Sequence, residues 1–530
     1  CGRLGCYRRS GITMIRTIIK REFLDNILSF KFIACVLVAI VLVVISTTFL
    51  AKDYKDRLKD YDVGVAASTE ALTKVPVYSY LRVRIFKNPN PLSIFVSGIE
   101  RETGNYIDLS HRDIPASLKG GRITNEFSHM LSFFDLNSII ALIFSILAIL
   151  LSYNAFSGEK EDGTLSLVLA NPVPRYKFLL GKYLGMLATL AVPLALSFGI
   201  GLLIASITGI QFNRGAIASI ALIFVHSIFY LSALLLIGIF ISSRTNKSFM
   251  SLLVLLAFYL ASIIVIPTAL KGLTENTIAL KARHYEKEIQ SLLDQRANEL
   301  NKKTGEMRPP GTWSFRETTR EGGIILKRIN PPALIEFMKR LYLMQEKTIE
   351  NYALKINALR ENDGQIIDKA RGLENALLLL NPTTNFSRSA ELISDTGEDN
   401  LKRFFGELTF YWHQYVHYLD EKNAFGLRYF YPYTEELTRE EKELIENINR
   451  DYDGDPWKPY EGKYAQRAQS HNPEFHNLDL SDLPEFSFKE PAIATKIAMT
   501  LPNILILFVY NLLFLTLSHF SFTIYDPRRQ

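Results

Sequence analysis

Residues 32–50, FIACVLVAIVLVVISTTFL, form an apolar run without a single charged side chain. A helix of about 20 apolar residues is long enough to cross the hydrocarbon core of a bilayer. Five more apolar runs of comparable length follow along the chain, at 133–153, 182–207, 216–241, 249–270 and 497–522. The sequence therefore predicts an all-α polytopic membrane protein with six transmembrane helices.

Two long polar segments, 51–132 and 271–496, separate these runs. They explain why the mean hydropathy of the 530-residue chain is only +0.08, although 48% of its residues are hydrophobic. In the first segment, β-like alternation at Val83 and Ile85 predicts a small mixed α/β domain. The second contains two charged, helix-periodic stretches, at 276–303 and 332–364. They predict an antiparallel hairpin within a large, mostly α-helical domain.

Basic residues in the short connections predict the orientation of the chain, because cytoplasmic loops of membrane proteins are enriched in Lys and Arg. These residues are Arg16, Lys20, Arg21, Lys31, Arg175, Lys177, Lys182, Arg244, Lys247, Arg528 and Arg529. All fall on one side of a six-span chain, which is then the cytoplasmic side. Residues 1–31, the connection 154–181 and the tail 523–530 are predicted to be cytoplasmic, with both termini inside. The two long polar segments are predicted to be extracytoplasmic.

The N-terminal residues before the first span mix basic and apolar side chains at helical spacing. Ile15, Ile19 and Phe23 fall on one face, and Arg16 and Lys20 fall toward another. This pattern is typical of a helix that lies in the membrane interface, and equally of the cytoplasmic start of a longer first helix. Residues 1–13 precede a methionine and are interpreted as an upstream extension of the native chain.

The connection 154–181 is charged at its start and apolar in its middle. Asp162 or Thr164 can cap a helix start, and Pro172 ends the helix. A narrow apolar stripe lies between them, formed by Leu165, Val168 and Leu169. A helix of two turns is marginally stable alone. It therefore needs a surface to pack on, either its own spans or a separate protein.

The sequence EKEDGTLSLVLANPVPRYKFLLGKYLG at 159–185 resembles the coupling segment of ABC-2-type exporter permeases. The residues that fall on the family pattern are Glu161, Gly163, Thr164, Leu165, Pro172, Arg175, Gly181 and Lys182. The resemblance implies that this segment docks onto a separate cytoplasmic ATPase and transmits its closure to the spans. The residues implied in that coupling are Glu159, Glu161, Asp162, Gly163, Thr164, Leu165, Val168, Leu169, Pro172 and Arg175. A dimer with a second permease chain, identical or related, is also implied.

The domain at 271–496 departs from the common layout of this family, whose simple members have only a short re-entrant element there. Within it, LNPTTNFSRSAELISDTG (380–397) and KNAFGLRYFYPYTEEL (422–437) resemble a bacterial subgroup associated with maturation of multicopper enzymes. The resemblance implies the bacterial cytoplasmic (inner) membrane and an extracytoplasmic protein partner. The copper association is weak evidence about a substrate.

Several kinds of site are not expected in this chain. It contains no GxxxxGK[ST] motif, so ATP is expected on a partner subunit and no cofactor is expected here. Its three cysteines give no disulfide framework, and its net charge of +6 gives no reason to expect nucleic acid. His413 and His417 have a spacing compatible with Zn²⁺ or Cu²⁺. Their helix is rich in aromatic residues and they serve as well in packing, so no metal site is predicted.

Four polar residues within or beside the spans are candidates for function, because polar groups in a membrane are costly. They are Asn154, His226, Asn511 and His519. We expect them to form hydrogen bonds between helices. They form no catalytic dyad, and a membrane-bound enzyme is the weakest of three hypotheses.

The leading hypothesis is a non-enzymatic permease that couples ATP hydrolysis in its partner to export of a substrate. The alternative is ATP-driven mechanotransmission to an extracytoplasmic partner, for example in metalloenzyme maturation, with nothing crossing the membrane. A hydrophilic path through the spans favours the first, and a sealed apolar interface favours the second.

Overall fold

The computed structural model describes residues 2–75, 78, 81–111, 118–120, 134–170, 174–307, 332–422, 424, 439 and 478–524. This part of the chain is mostly helical, and strands β1 (Val83–Phe86) and β2 (Tyr106–Leu109) pair antiparallel. The helices are α1 (Gly2–Ile27), α2 (Phe30–Leu72), α3 (Leu136–Ile139), α4 (Ser145–Ser152), α5 (Ser157–Glu161), α6 (Thr164–Ala170), α7 (Arg175–Ile207), α8 (Arg214–Arg244), α9 (Ser248–Leu260), α10 (Ile266–Glu306), α11 (Pro332–Leu379), α12 (Pro382–Ser394), α13 (Glu398–Glu421) and α14 (Ile493–Ile524).

Within the described residues, six helical stretches are long and apolar enough to cross a membrane, which confirms the predicted number of spans. Spans one to six are Phe30–Leu72, Leu136–Glu161, Arg175–Ile207, Arg214–Arg244, Ser248–Gly272 and Ile493–Ile524. The buried apolar core lies between these helices and includes Phe144, Tyr230 and Leu507. The predicted all-α membrane class is therefore correct.

The helix of span one continues well past Leu50, where its apolar run ends. At 1.5 Å per residue its 43 residues measure about 65 Å, roughly twice the thickness of the hydrocarbon core. The extension is charged but remains helical, with Arg57 Nε 2.9 Å from Asp53 Oδ2 one turn away. The polar segment after span one thus begins as a direct continuation of the membrane helix.

The N-terminal residues form a helix of their own, α1, separated from span one at Leu28 and Ser29. The Ser29 side chain accepts a hydrogen bond from the backbone N–H of Phe32, which caps the start of α2. Of the two interpretations from the sequence, the separate helix is the one observed.

Two spans contain a π-helical turn, at Ile140–Phe144 in span two and at Ala261–Val265 in span five. Pro267 lies two residues after the end of the second turn, and proline has no backbone N–H for the regular i→i−4 bond. The π-helical turn just before Pro267 has a wider spacing of backbone hydrogen bonds, which accommodates the missing bond.

Span five continues without interruption into α10, which pairs with α11. Tyr352 Oη donates to Glu299 Oε2 at 2.9 Å, and Lys303 Nζ donates to Thr348 Oγ1 at 3.2 Å. These two pairs place the helices antiparallel, as the sequence predicts. We call α10 and α11 together the stalk.

A second core, the distal core, joins the two long polar segments. The buried residues of β1 and β2 pack against α13 through Phe404, Leu408 and Tyr415, and against residues from 478 to 488. Trp412 Nε1 donates to the Ser110 carbonyl at 2.9 Å across this contact. The two segments predicted as separate domains therefore share one core in the described part of the chain.

Candidate functional site

The coupling segment, 154–181, contains two short helices joined by a tight turn. Helix α5 ends at Asp162, whose N–H bonds to the Gly158 carbonyl at 2.9 Å. Gly163 then has a φ of +68°, a left-handed conformation that favours glycine. Thr164 is the first residue of α6. The predicted short helix is present, but Asp162 terminates the preceding helix instead of starting this one.

The start of span three lies beside this turn and carries a buried lysine between two carboxylates. Lys182 Nζ lies 2.8 Å from Glu22 Oε1 of α1 and 2.7 Å from Glu159 Oε1 of α5. Its side chain is 6% exposed, and its ammonium also lies over the rings of Phe156 and Phe178. We call Glu22, Glu159 and Lys182 the buried triad. It locks the coupling segment, α1 and span three together through charge-assisted hydrogen bonds.

Helix α1 approaches span three closely beside the triad, at two glycines. A Cβ at Gly181 would lie 2.7 Å from Ile18 Cγ2, and a Cβ at Gly185 would lie 2.7 Å from Glu22 Cβ. These distances are below ordinary contact, so only glycine permits this approach. The position of Glu22 in the triad depends on it.

The coupling segment is also bonded to span four. Lys160 Nζ donates to the carbonyl oxygens of Ser243 and Thr245, the latter at 3.1 Å. Ser242 Oγ accepts from the backbone N–H groups of Phe156 and Ser157, both at 3.0 Å. Because these groups are buried, the beginning of the segment and the end of span four are held as one unit.

Spans one, five and six contact the same segment or the residue next to it. The bonds are Lys31 Nζ to Tyr153 Oη at 3.2 Å, Ser248 N to Glu161 Oε2 at 3.0 Å, and Arg175 Nη1 to the Phe522 and Thr523 carbonyls at 2.9 and 2.8 Å. The connection between spans two and three is therefore bonded to the ends of spans four, five and six, and span one bonds to Tyr153 directly before it.

Helix α6 has one side against the spans and another exposed. Leu165 is buried at 1% exposure, whereas Leu167 is 68% exposed and Ser166 is exposed. The side chains of Val168 and Leu169, and Pro172 as a whole, lie outside the described residues. The predicted inward apolar contact is therefore observed at Leu165, and an apolar side chain faces away from the spans at Leu167.

Substitution of Gly185 by Ala is expected to displace α1 from span three. The added Cβ meets Glu22 Cβ and the Ile19 carbonyl, so one helix must shift. Hydrogen exchange in residues 14–27 should become faster. The matched control is Gly199→Ala in the same span, where nothing lies within 4 Å of the added carbon. Equal exchange in the two variants would contradict the close approach.

Other sequence candidates fall in different places. Asn511 bonds between helices as expected, donating to the Phe229 carbonyl at 3.0 Å and accepting from Ser232. His226 does not form the expected hydrogen bond between helices. Among the described residues its ring nitrogens have no hydrogen-bond partner, and the ring stacks on Phe386. Among the described residues no cluster of three metal-ligating side chains occurs.

The triad partners Glu22 and Lys182 were absent from the coupling residues that the sequence implied, as was Lys160. Their signal was present but ambiguous. Lysines at the cytoplasmic end of a span are usually explained by orientation alone. Glu22 is one of two acidic residues near the end of α1, and the other, Asp25, pairs with the exposed Arg21, so the sequence did not single out Glu22.

Comparison with known proteins shows the family of this chain. The model of a family described as ABC-2 family transporter protein matches residues 16–526. A probable ABC transporter permease protein NosY of Pseudomonas aeruginosa is 37% identical over 89 residues, which is 17% of this chain and 27% of that protein. The NosY of Stutzerimonas stutzeri is 40% identical over 65 residues, 12% of this chain and 24% of that protein.

The chain thus matches only about a quarter of the length of these curated relatives. The family match is much broader, since it includes all six spans and the coupling segment between spans two and three. On this evidence the protein belongs to the ABC-2 family of transporter proteins.

Proposed function

We propose that this chain is the membrane subunit of an ABC exporter of the bacterial inner membrane, driven by a separate cytoplasmic ATPase. The ATPase docks on the exposed side of α6, at Ser166 and Leu167, and its ATP-dependent closure pushes the coupling segment. Two permease chains act together with two ATPase subunits, and both termini of each chain are cytoplasmic. ATP binds to the partner, so this chain needs no cofactor of its own.

One observation supports this proposal above all: the coupling segment is bonded to the ends of spans four, five and six and, through Lys182, to α1. A loop that only connects two spans has no need of such contacts. A force on α6 reaches span three through Lys182 and span four through Lys160. A short helix with an exposed leucine also suits a docking surface, because α6 alone is too short to be stable.

A specific observation favours mechanotransmission as a second candidate function. Span five and α10 form one continuous helix from Ser248 to Glu306. Only the pattern of its backbone hydrogen bonds changes, at the π-helical turn. Such a helix connects the membrane interior directly to the stalk. In this candidate the stalk and the distal core act on an extracytoplasmic protein, and maturation of a multicopper enzyme stays a prediction for that partner.

A cysteine at Ser166 is expected to crosslink to the ATPase in native membranes of a strain that expresses both proteins. Ser166 is exposed on α6, and Cys1, Cys6 and Cys35 are first replaced. The matched control is Gln211→Cys, exposed between spans three and four at the predicted opposite end of the bundle. An adduct at 166 and none at 211 supports the proposal. A thiol at 166 that reacts with small reagents but captures no ATPase overturns it.

A further inference from the structure

A buried polar cluster joins three spans to α12 in the interior of the bundle. We call it the hydroxyl cluster, and its members are Ser145 of span two, Tyr230 of span four, Ser262 of span five, and Asn381 and Thr383 at the start of α12. All five are at most 8% exposed. Buried polar groups inside a membrane protein are costly unless paired, and Ser, Thr and Asn side chains commonly pair across helices.

The members of the cluster form a continuous chain of hydrogen bonds. Tyr230 Oη lies 2.7 Å from Ser145 Oγ and 3.1 Å from Thr383 Oγ1. Thr383 Oγ1 lies 2.9 Å from Ser262 Oγ, which also donates to Asn381 Oδ1. Every hydroxyl is both donor and acceptor, so the same groups permit more than one bonding pattern.

Both π-helical turns border this cluster. Ser145 directly follows the turn in span two, and Ser262 lies inside the turn in span five. Side chains from neighbouring elements bond the backbone there: Asn381 Nδ2 donates to the Ser262 carbonyl, and Tyr259 Oη donates to the Leu142 carbonyl at 3.0 Å. Single π turns within helices are frequent at functional sites, because they place a local irregularity in a rigid rod.

The position of the cluster in the chain connects the two ends of the molecule. Span two leads directly into the coupling segment, and span five leads directly into the stalk. Helix α12 begins at Pro382, three residues after the stalk ends at Leu379, and it packs into the bundle through Phe386, whose ring stacks on Tyr230 with ring centroids 4.6 Å apart. Movement of span two therefore reaches the base of the stalk through Tyr230.

We propose that the hydroxyl cluster relays the movement of span two to the stalk, with Tyr230 and Thr383 as positioning residues. When span two shifts, Ser145 moves relative to Tyr230. The buried hydroxyls must stay paired, so Thr383 and Ser262 change partners and the base of the stalk moves with them. This inference rests on the proposed coupling to an ATPase, and it adds the path by which that coupling reaches the far end.

The test measures two spin-label distances in the permease–ATPase complex in lipid nanodiscs, with and without ATP. The inner pair, at Lys20 and Asn154, reports span two against α1. The outer pair, at Asn301 and Glu407, reports the stalk against the distal core. All four side chains are exposed, and the native cysteines are replaced.

The variants Tyr230→Phe and Thr383→Val remove one hydroxyl each and keep the shape of the side chain. Tyr183→Phe is the matched control, because its hydroxyl is bonded to Ser232 outside the cluster. Thr383→Ser is a second control, because it keeps the hydroxyl and removes only the methyl group. In the parent and both controls, ATP is expected to change both distances. In Tyr230→Phe and Thr383→Val, the inner change remains and the outer change falls at least threefold.

The outcomes separate the two proposals. A full outer change in Tyr230→Phe and Thr383→Val, with the inner change also present, overturns the relay and leaves the ATPase coupling intact. An inner pair that ATP does not move in the parent overturns the coupling and the relay together. If Tyr230→Phe does not fold, Thr383→Val against Thr383→Ser decides, because these two differ in a hydroxyl and one methyl group only. Loss of both distance changes in these variants, with the complex intact, indicates a purely structural role and also overturns the relay.

Discussion

Lys182→Met is expected to lower the free energy of unfolding by about 3 kcal/mol and to release the coupling segment from span three. Removing the ammonium leaves Glu22 and Glu159 facing each other without a partner, and an unpaired buried charge is strongly destabilising, by about 3–5 kcal/mol. The lower figure applies because the two carboxylates retain 21% and 24% exposure. Thermal unfolding of the purified chain in detergent measures the effect.

The charge itself, and not the side-chain volume, is predicted to be responsible. Combining Lys182→Met with Glu22→Gln and Glu159→Gln should restore most of the lost stability, because the unpaired charges are gone. Lys177→Met, which removes a lysine one and a half turns away, should change the unfolding midpoint little. If Lys182→Met unfolds at the parent temperature, the triad does not hold the segment.

Gly238→Ala is expected to disrupt the packing of span four on span two. A Cβ there would lie 1.9 Å from Ser152 Oγ and 2.6 Å from Ser152 Cβ, so the helices must separate. Overpacking of this kind costs about 1–3 kcal/mol, and it should appear as a lower unfolding midpoint and weaker expression in the membrane.

The matching rescue is Ser152→Gly, which removes both clashing atoms. The double variant Gly238→Ala/Ser152→Gly should be as stable as Ser152→Gly alone. Both variants carry a glycine at position 152, so the stability that a glycine costs within a helix is the same in each. Strict additivity of the two single changes would show that the helices do not meet at this point.

The spans themselves were predictable from the sequence, because 20 apolar residues in a row have few alternatives to a membrane helix. The ends of their helices were not. Apolar runs stop at the membrane boundary, but a helix stops only where its backbone bonds stop, and charged residues such as those after Leu50 continue a helix well. For that reason the part of α2 beyond Leu50 and the part of α10 beyond Leu270 were assigned to separate domains.

The coupling segment was predictable in its position and its short helix, but less so in its contacts. The sequence allows Asp162 to cap the start of α6 or to end α5. The left-handed backbone conformation of Gly163, which follows it, is what ends α5 at this point. The triad joins residues 160 positions apart, Glu22 and Lys182, and no local pattern reports such a pair. His226 was expected to bond a neighbouring span, and its stacking on Phe386 depends on α12, which the sequence did not place inside the bundle.

In the mechanotransmission candidate, the continuous helix of span five is a lever. Its part beyond the π-helical turn has 41 residues, which gives an arm of about 60 Å. If that arm pivots at the turn by about 5°, its tip sweeps about 5 Å, one full helical pitch. Small angular changes within the membrane are thereby amplified at the tip of the stalk, where a partner needs only to sense displacement.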